Sequence, residues 1–366
     1  MQELGLFRRG SVNYPKMAIL PKPHIEGIQS VTTFKVTEPR VTQRVDPGPL
    51  SSFQRCFNTV LYFKRVEGDD FSGWDLAGWI KDSLGKAFVE EPTICGRLRR
   101  PEEGSEFEIV SNDSGARLIE ARIGIGLEEF LESEGREEAE AELVYWKDID
   151  EQNPQFCPLF YIQVTNFQCG GYSIGISCSL LLADPPFISS FLKKWAAIHS
   201  SLVSEMDPQV KKPIFYLHSV RNINPSSPSP LGPSPCKNSA RTVIFKSVDR
   251  TVNLDKKSLA LLCAEVAEKV MDAKLGSKVS LLVREKSGEV KVEIVSRNNG
   301  SPQLRLGPKG QPSPVSWESF EAGEVAFRKG NFPVLVSQWI GTSDGFVMIT
   351  PYGGEDEHWA YVLVTL

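Results

Sequence analysis

Asp184 stands in a polar break, Asp184-Pro185, between a long apolar run and a helical pattern. A carboxylate there can accept backbone N–H groups at a helix N-terminus, so its expected role is that of a structural anchor. Cys178 and Ser179, just upstream, are nucleophile types, but a thiol or hydroxyl needs an adjacent base, and none is visible in the local sequence. Both read as packing residues. Gly171-Tyr172-Ser173-Ile174-Gly175 matches the G-x-S-x-G pattern of a nucleophile elbow. That motif puts its serine on a sharp turn between a strand and a helix, whereas the run here continues as strand, so Ser173 reads as a strand residue. The four histidines, His24, His199, His218 and His358, lie far apart, and none is paired with Cys or acid at metal-ligand spacing. Each reads as a surface or satisfied core residue, and no metal is expected.

The stretch from Tyr161 to Ile198 has to hold these groups. It reads as an apolar strand, a Gly170-Gly171 turn and a second strand of small and β-branched residues. After Asp184-Pro185 comes a helix with Phe187, Phe191, Leu192, Trp195 and Ile198 at helical spacing. Leu180-Leu181-Leu182, between strand and break, is the composition of a buried core.

Around this stretch the chain alternates strands and helices. Residues 1–30 read as an irregular lead-in, a strand follows from Val31, and a second β-rich run ends near Val66. A helix places Leu76, Trp79, Ile80, Leu84, Phe88 and Val89 on one face until Pro92 stops it. Phe107–Val110 and Ala116–Ala121 are short strands, and the Glu-rich Leu127–Leu143 reads as one helix with a solvated face. Residues 206–240 are rich in Pro and Ser and hold too little apolar surface to fold alone, which marks a crossover linker. The spacing beyond it predicts a helix burying Leu259, Leu262, Cys263, Val266, Val270 and Met271, then strands over 278–284, 289–296 and 358–365 in one sheet. WESFEAGEVAFRK reads as a short helix. The divisions are therefore 1–205, 206–240 and 241–366, with Arg241 onward expected to form a separate domain.

At 366 residues, one large or two medium domains are expected. Hydrophobic residues make up 41% and charged residues 24%, ordinary values for a globular protein. A formal net charge of -5 and the lack of a basic stripe with interleaved aromatics argue against nucleic acid as a partner. Seven scattered cysteines without a C-x-x-C pair suit buried thiols in a reducing compartment. The opening MQELGLFRRG lacks a signal-peptide h-region, and no apolar run reaches the roughly 18 residues of a membrane span. A cytoplasmic monomer is expected.

The residues around Asp184 resemble the BAHD (HXXXD-type) acyl-CoA-dependent acyltransferases of plants. The family signature is H-x-x-x-D followed by an F-x-x-x-W-A helix. Asp184, Phe191, Trp195 and Ala196 fit that frame, and Cys95-Gly96-Arg97-Leu98 resembles the family's small-Gly-Arg-Leu turn. The position of the catalytic His holds Leu180. The family's D-F-G-W-G motif has no counterpart, Asp344-Gly345-Phe346 being an echo in a strand turn. The phrases LFYIQVTNFQCGGYSIGIS and GFVMITPYGGEDEHWAYVLVTL are similar to the eceriferum group of wax-synthesis proteins.

This resemblance implies an α/β fold of two chloramphenicol-acetyltransferase-like domains, with mixed sheets flanked by helices. The second would be abbreviated by text missing between Asn299 and Trp339. It implies no resident cofactor, acyl-CoA serving as a cosubstrate, and no confident catalytic residue, since Leu180 replaces the base and the retained Asp184 is structural. The implied function is a non-catalytic or weakly active accessory factor in very-long-chain fatty acid and cuticular wax metabolism. A fatty-acid elongase component would be its partner, at the endoplasmic reticulum surface. The alternative is an active O- or N-acyltransferase that uses a displaced base.

Overall fold

The computed structural model describes residues 20–36, 38–46, 48, 53–66, 73–102, 106–204, 241–248, 255–297, 312–342, 345–352 and 359–366. The lead-in up to residue 19, the 206–240 crossover, His218 and His358 lie outside them.

Strands β1 (His24–Val31), β2 (Arg40–Asp46) and the fully buried β3 (Cys56–Phe63) come first. Helix α1 (Gly73–Glu90) precedes β4 (Arg97–Arg99), β5 (Phe107–Ser111) and β6 (Ala116–Ile123). Two short helices follow, α2 (Leu127–Glu132) and α3 (Arg136–Glu140). The hairpin β7 (Phe160–Phe167) and β8 (Tyr172–Ser179) then feeds helix α4 (Pro185–Ser204). The second half contributes β9 (Thr242–Val248), helix α5 (Lys256–Met271), β10 (Lys278–Arg284) and β11 (Val290–Ser296). It ends with β12 (Ser313–Val315), β13 (Leu335–Gly341), β14 (Phe346–Tyr352) and β15 (Trp359–Thr365).

Two mixed sheets result, flanked by helices, and the fold is α/β as expected. A six-stranded sheet runs β1-β6-β7-β8-β3-β13, and a nine-stranded sheet runs β12-β9-β15-β14-β10-β11-β2-β5-β4. Most neighbours are antiparallel, with β6–β7 parallel in the first sheet and β10–β14 and β11–β2 parallel in the second.

The sheets cross the sequence boundary. The expected strands β10, β11 and β15 do share one sheet, but β2, β5 and β4 of the first half extend it through Val290↔Val45 and Lys291↔Asp46. In return, β13 of the second half pairs with β3 from Leu335↔Tyr62 to Gly341↔Cys56. Period-2 alternation identifies a strand but carries no information about which sheet it joins.

The central hairpin forms as the residues require. Gly170 turns it with φ +85°, a conformation only glycine adopts cheaply. Gly175 has a different reason: a Cβ there would stand 1.9 Å from the Leu143 carbonyl oxygen, because residues 141–143 lie directly on the strand. Helix α1 buries Leu76, Ile80, Leu84 and Phe88 as its spacing predicts, against the Phe191 and Trp195 face of α4.

Four stretches depart from expectation, the first being residues 24–31, read as the end of an irregular lead-in, which form strand β1 against β6. Helix α5 buries Ala260, Cys263, Ala264 and Ala267, while Val270 is 60% exposed. Small side chains let the helix backbone approach β10, β14 and β15 closely, and the larger residues flank that contact. The Glu-rich segment is two helices separated at Ser133–Gly135, and Glu140 is buried rather than solvated. Glu140 accepts hydrogen bonds from Tyr62 (3.0 Å) and Ser337 (2.7 Å), which neutralise the cost of burying it. The stretch from Trp317 forms two 3₁₀ turns, Trp317–Phe320 and Ala322–Glu324, in place of one helix.

Candidate functional site

The turn from Leu180 to Asp184 sits where β8 ends, between the two sheets. From Leu180 to Leu182 its backbone is satisfied group by group, as a buried turn requires. Leu180 N–H donates to the Arg55 carbonyl (3.1 Å), and the N–H groups of Leu182 and Ala183 both donate to the Ser179 carbonyl. The Ser179 hydroxyl accepts from Leu181 N–H (3.3 Å), which occupies that oxygen structurally. Three carbonyls are taken by side chains from other strands. Arg284 Nη2 on β10 donates to Leu180 O (2.9 Å) and Leu181 O (3.3 Å), and Gln43 Nε2 on β2 donates to Leu182 O (3.1 Å). The side chains of Leu180, Leu181 and Leu182 are fully buried.

Asp184 closes the turn. Its Oδ1 accepts the Phe187 N–H (2.8 Å), which caps α4, and its carbonyl accepts the Ile188 N–H. Its Oδ2 accepts the Thr350 hydroxyl of β14 and lies 3.6 Å from Arg284 Nε, an ion-pair distance rather than a hydrogen bond. Both charged side chains are about nine-tenths buried. Burial lowers the Arg284 pKa, and the Asp184 charge opposes that shift. Beside them, the Arg55 guanidinium lies 4.8 Å over the ring of Phe346. The Asp184 carboxylate is thus used by a helix cap, a hydroxyl and a guanidinium.

The other sequence candidates are not gathered here. Cys178 is wholly buried on β8, and burial pushes its thiol far above the ordinary range. Ser173 is the second residue of β8, buried, with its Oγ unpartnered. His199 is fifteen residues along α4 from Asp184, about 22 Å away at 1.5 Å per residue. Its Nδ1 lies 2.9 Å from Ser83 Oγ, which also accepts Trp195 Nε1–H. Burial and then the Arg328 charge lower its pKa to about 3, so it is neutral. His24 is exposed on β1.

Arg284, Thr350, Gln43 and Arg55, which hold the turn, escaped sequence reasoning. No local pattern marks them, because each comes from a strand or strand end remote from residues 180–184. A cleft of about 460 Å³ opens beside the turn, lined by Val41–Arg44 of β2 with Glu106, Ser287 and Glu289. Gln43 belongs to both. Among the described residues, no group of His, Cys, Asp and Glu is arranged to hold a metal ion. No described helix is long and apolar enough to cross a membrane.

Comparison with known proteins places the chain. The model of the Transferase family matches residues 60–278, more than half of it. The chain belongs to this family, the BAHD acyltransferases. Its two mixed sheets are the chloramphenicol-acetyltransferase-like pair that the resemblance implied. Protein ECERIFERUM 26-like of Arabidopsis thaliana is 37% identical over 117 residues, which are 32% of this chain and 27% of that protein. A hydroxycinnamoyltransferase of Narcissus pseudonarcissus is 28% identical over 264 residues, 70% of this chain and 57% of that protein. The crystal structure of vinorine synthase is 14% identical with a TM-score of 0.48, covering 94% of this chain and 95% of that one. The chain therefore spans between a quarter and a little over half of the curated BAHD relatives it matches here.

Proposed function

We propose that this BAHD protein acts as an accessory factor in very-long-chain acyl and cuticular wax metabolism, with little or no acyl transfer of its own. The observation that carries this reading is Leu180. At the position that the resemblance assigns to the catalytic His stands a fully buried leucine, on a turn whose backbone groups from Leu180 to Leu182 are all engaged. Leucine cannot take the proton that an acceptor hydroxyl or amine must lose as it attacks a thioester. The retained Asp184 supplies no substitute, since its two oxygens cap α4 and meet Thr350 and Arg284.

Acyl-CoA would be a ligand rather than a resident cofactor. The partner is a component of a fatty-acid elongase, met from the cytoplasm at the endoplasmic reticulum surface, with the chain arriving as a monomer. Similarity to Protein ECERIFERUM 26-like supports this setting. Microsomes carrying an elongase, supplied with malonyl-CoA and a long-chain acyl-CoA, should make longer products when the protein is added. Leu180→Met, which leaves no base either and keeps the core filled, should act as the wild type does. An unchanged product distribution would contradict the accessory role.

One observation favours a second reading, transfer through a displaced base. Glu106 and Glu289 line the cleft that shares Gln43 with the turn. Glu289 is paired with Lys291 at 3.1 Å, and both are solvent-accessible, which suits a surface ion pair better than a poised base.

A further inference from the structure

Residues 316–325 connect the two sheets without belonging to either. Before them, β12 ends at Val315, paired with Ile244 of β9 on the edge of the nine-stranded sheet. Beyond them, β13 begins at Leu335 on the edge of the six-stranded sheet. From Ser316 to Val325 the described backbone hydrogen bonds stay inside the segment. Ser319 N–H donates to Ser316 O, Glu321 N–H to Glu318 O, Glu324 N–H to Glu321 O and Val325 N–H to Ala322 O. No described backbone bond ties this stretch to a strand or to α4.

Side chains hold it instead. Trp317 stacks on Phe57 of β3 (5.6 Å), and Phe320 packs edge-on against Tyr361 of β15 (5.1 Å), so the first 3₁₀ turn reaches from one sheet to the other. Phe320, Ala322 and Val325 are buried, while Glu318, Glu321 and Glu324 face solvent. Outside, Lys193 of α4 meets both Glu321 and Glu324, the latter at 3.2 Å. Just past the segment, Phe327 is fully buried against Trp195 (4.6 Å) and Phe63 (6.3 Å), which fixes that end.

The surface under these turns adjoins the 180–184 turn. Phe57 is directly opposite Cys178, two residues before Leu180. Tyr361 is directly opposite Thr350, whose hydroxyl bonds to Asp184. A stretch held by a few side chains and no backbone ladder opens at lower cost than the sheets beneath it.

We infer that residues 316–325 are a strap that swings open as one unit, between the end of β12 and the Phe327 anchor. Opening uncovers the space between the sheets beside the 180–184 turn while the sheets and α4 stay formed. Lys193 is its outer latch. The inference does not depend on whether that turn supports transfer.

Thiol labelling of the full chain tests it. Ala322→Cys and Val325→Cys each place a thiol on the buried side of the strap, and both are close in size to the residue replaced. Cys95 and Cys263, fully buried in other elements, report opening of the body. Pulses of iodoacetamide under native conditions, resolved peptide by peptide by mass spectrometry, give each thiol its own rate. Far-UV dichroism and Tm check that the variants fold. Both reporters should label about tenfold or more faster than Cys95 and Cys263, and within about threefold of each other. Adding Lys193→Gln should speed both reporters about two- to fivefold, the range of exposed ion pairs, and leave Cys95 and Cys263 unchanged. Reporters that label no faster than Cys95 and Cys263, or rates that Lys193→Gln leaves unchanged, would overturn the assignment.

Discussion

Asp184 joins three parts of the chain: the start of α4, Arg284 on β10 and Thr350 on β14. Asp184→Ala would remove a cap, a loss of about 1 kcal/mol, and leave Arg284 buried without its counter-charge, which typically costs about 3–5 kcal/mol. Urea unfolding should show the larger loss for Asp184→Ala and a smaller one for Asp184→Asn, which keeps an acceptor for Phe187 N–H. Equal stability of wild type and Asp184→Ala would contradict the anchor. The cap was legible, because Asp-Pro-Pro before an apolar-periodic run is a helix start. The guanidinium and the hydroxyl were not: Thr350 lies 166 positions away, and nothing in its neighbourhood points back to Asp184.

His199 allows a second prediction at this scale. Its folded pKa is lowered to about 3 by burial first and Arg328 second, against an ordinary value near 6.5. Between those values the unfolded chain binds the extra proton, so the stability from His199 is full above about pH 6.5 and falls as pH drops toward 3. The loss approaches about 1.4 kcal/mol per pH unit below 6.5. Comparing urea midpoints at pH 7 and pH 5, His199→Gln should lose less on acidification than the wild type. Equal losses would mean that His199 is not held neutral in the fold.

At the scale of the element, the hairpin explains why a G-x-S-x-G match can be empty of chemistry. Gly175 is fixed by the backbone of Leu143 and Ser173 by its place in a strand, so the two residues should respond oppositely to substitution. Gly175→Ala forces a Cβ against a carbonyl and should cost about 1–3 kcal/mol or more. Ser173→Ala deletes a buried hydroxyl that has no partner and should be neutral or mildly stabilising. A thermal melt of each variant checks this. A large loss for Ser173→Ala with none for Gly175→Ala would reverse the assignment. Helices α1 and α4 were legible because large apolar residues recur on one face of each. The buried face of helix α5 was legible in part: Leu259, Cys263, Val266 and Met271 pack as their spacing predicts, while the alanines that complete the contact carry a weak hydrophobic signal. The break at Gly135 and the burial of Glu140 were hidden by a run of charge that looks solvated until Tyr62 and Ser337 are brought to it.

At the scale of the whole molecule, the two sheets are interleaved by β13 in one direction and by β2, β5 and β4 in the other. The 180–184 turn is fixed from both: Arg55 lies on the six-stranded side, and Arg284, Gln43 and Thr350 on the nine-stranded side. Family and fold class could be read from the order of motifs along the chain. The strand exchange could not, because pairing partners are set by three-dimensional packing and the alternating pattern is the same for either sheet. A turn held so completely is suited to keeping a shape, and Leu180 gives it no group to move a proton. The most direct measurement is acyl transfer by the purified wild-type chain across a panel of acyl-CoA donors with alcohol and amine acceptors. General-base assistance is typically worth about a hundred- to ten-thousand-fold, so turnover is expected barely above the uncatalysed rate. Leu180→His alone should leave it there, because that position is sealed in the core. Robust turnover by the wild type would contradict the non-catalytic reading and point instead to a base such as Glu106 or Glu289.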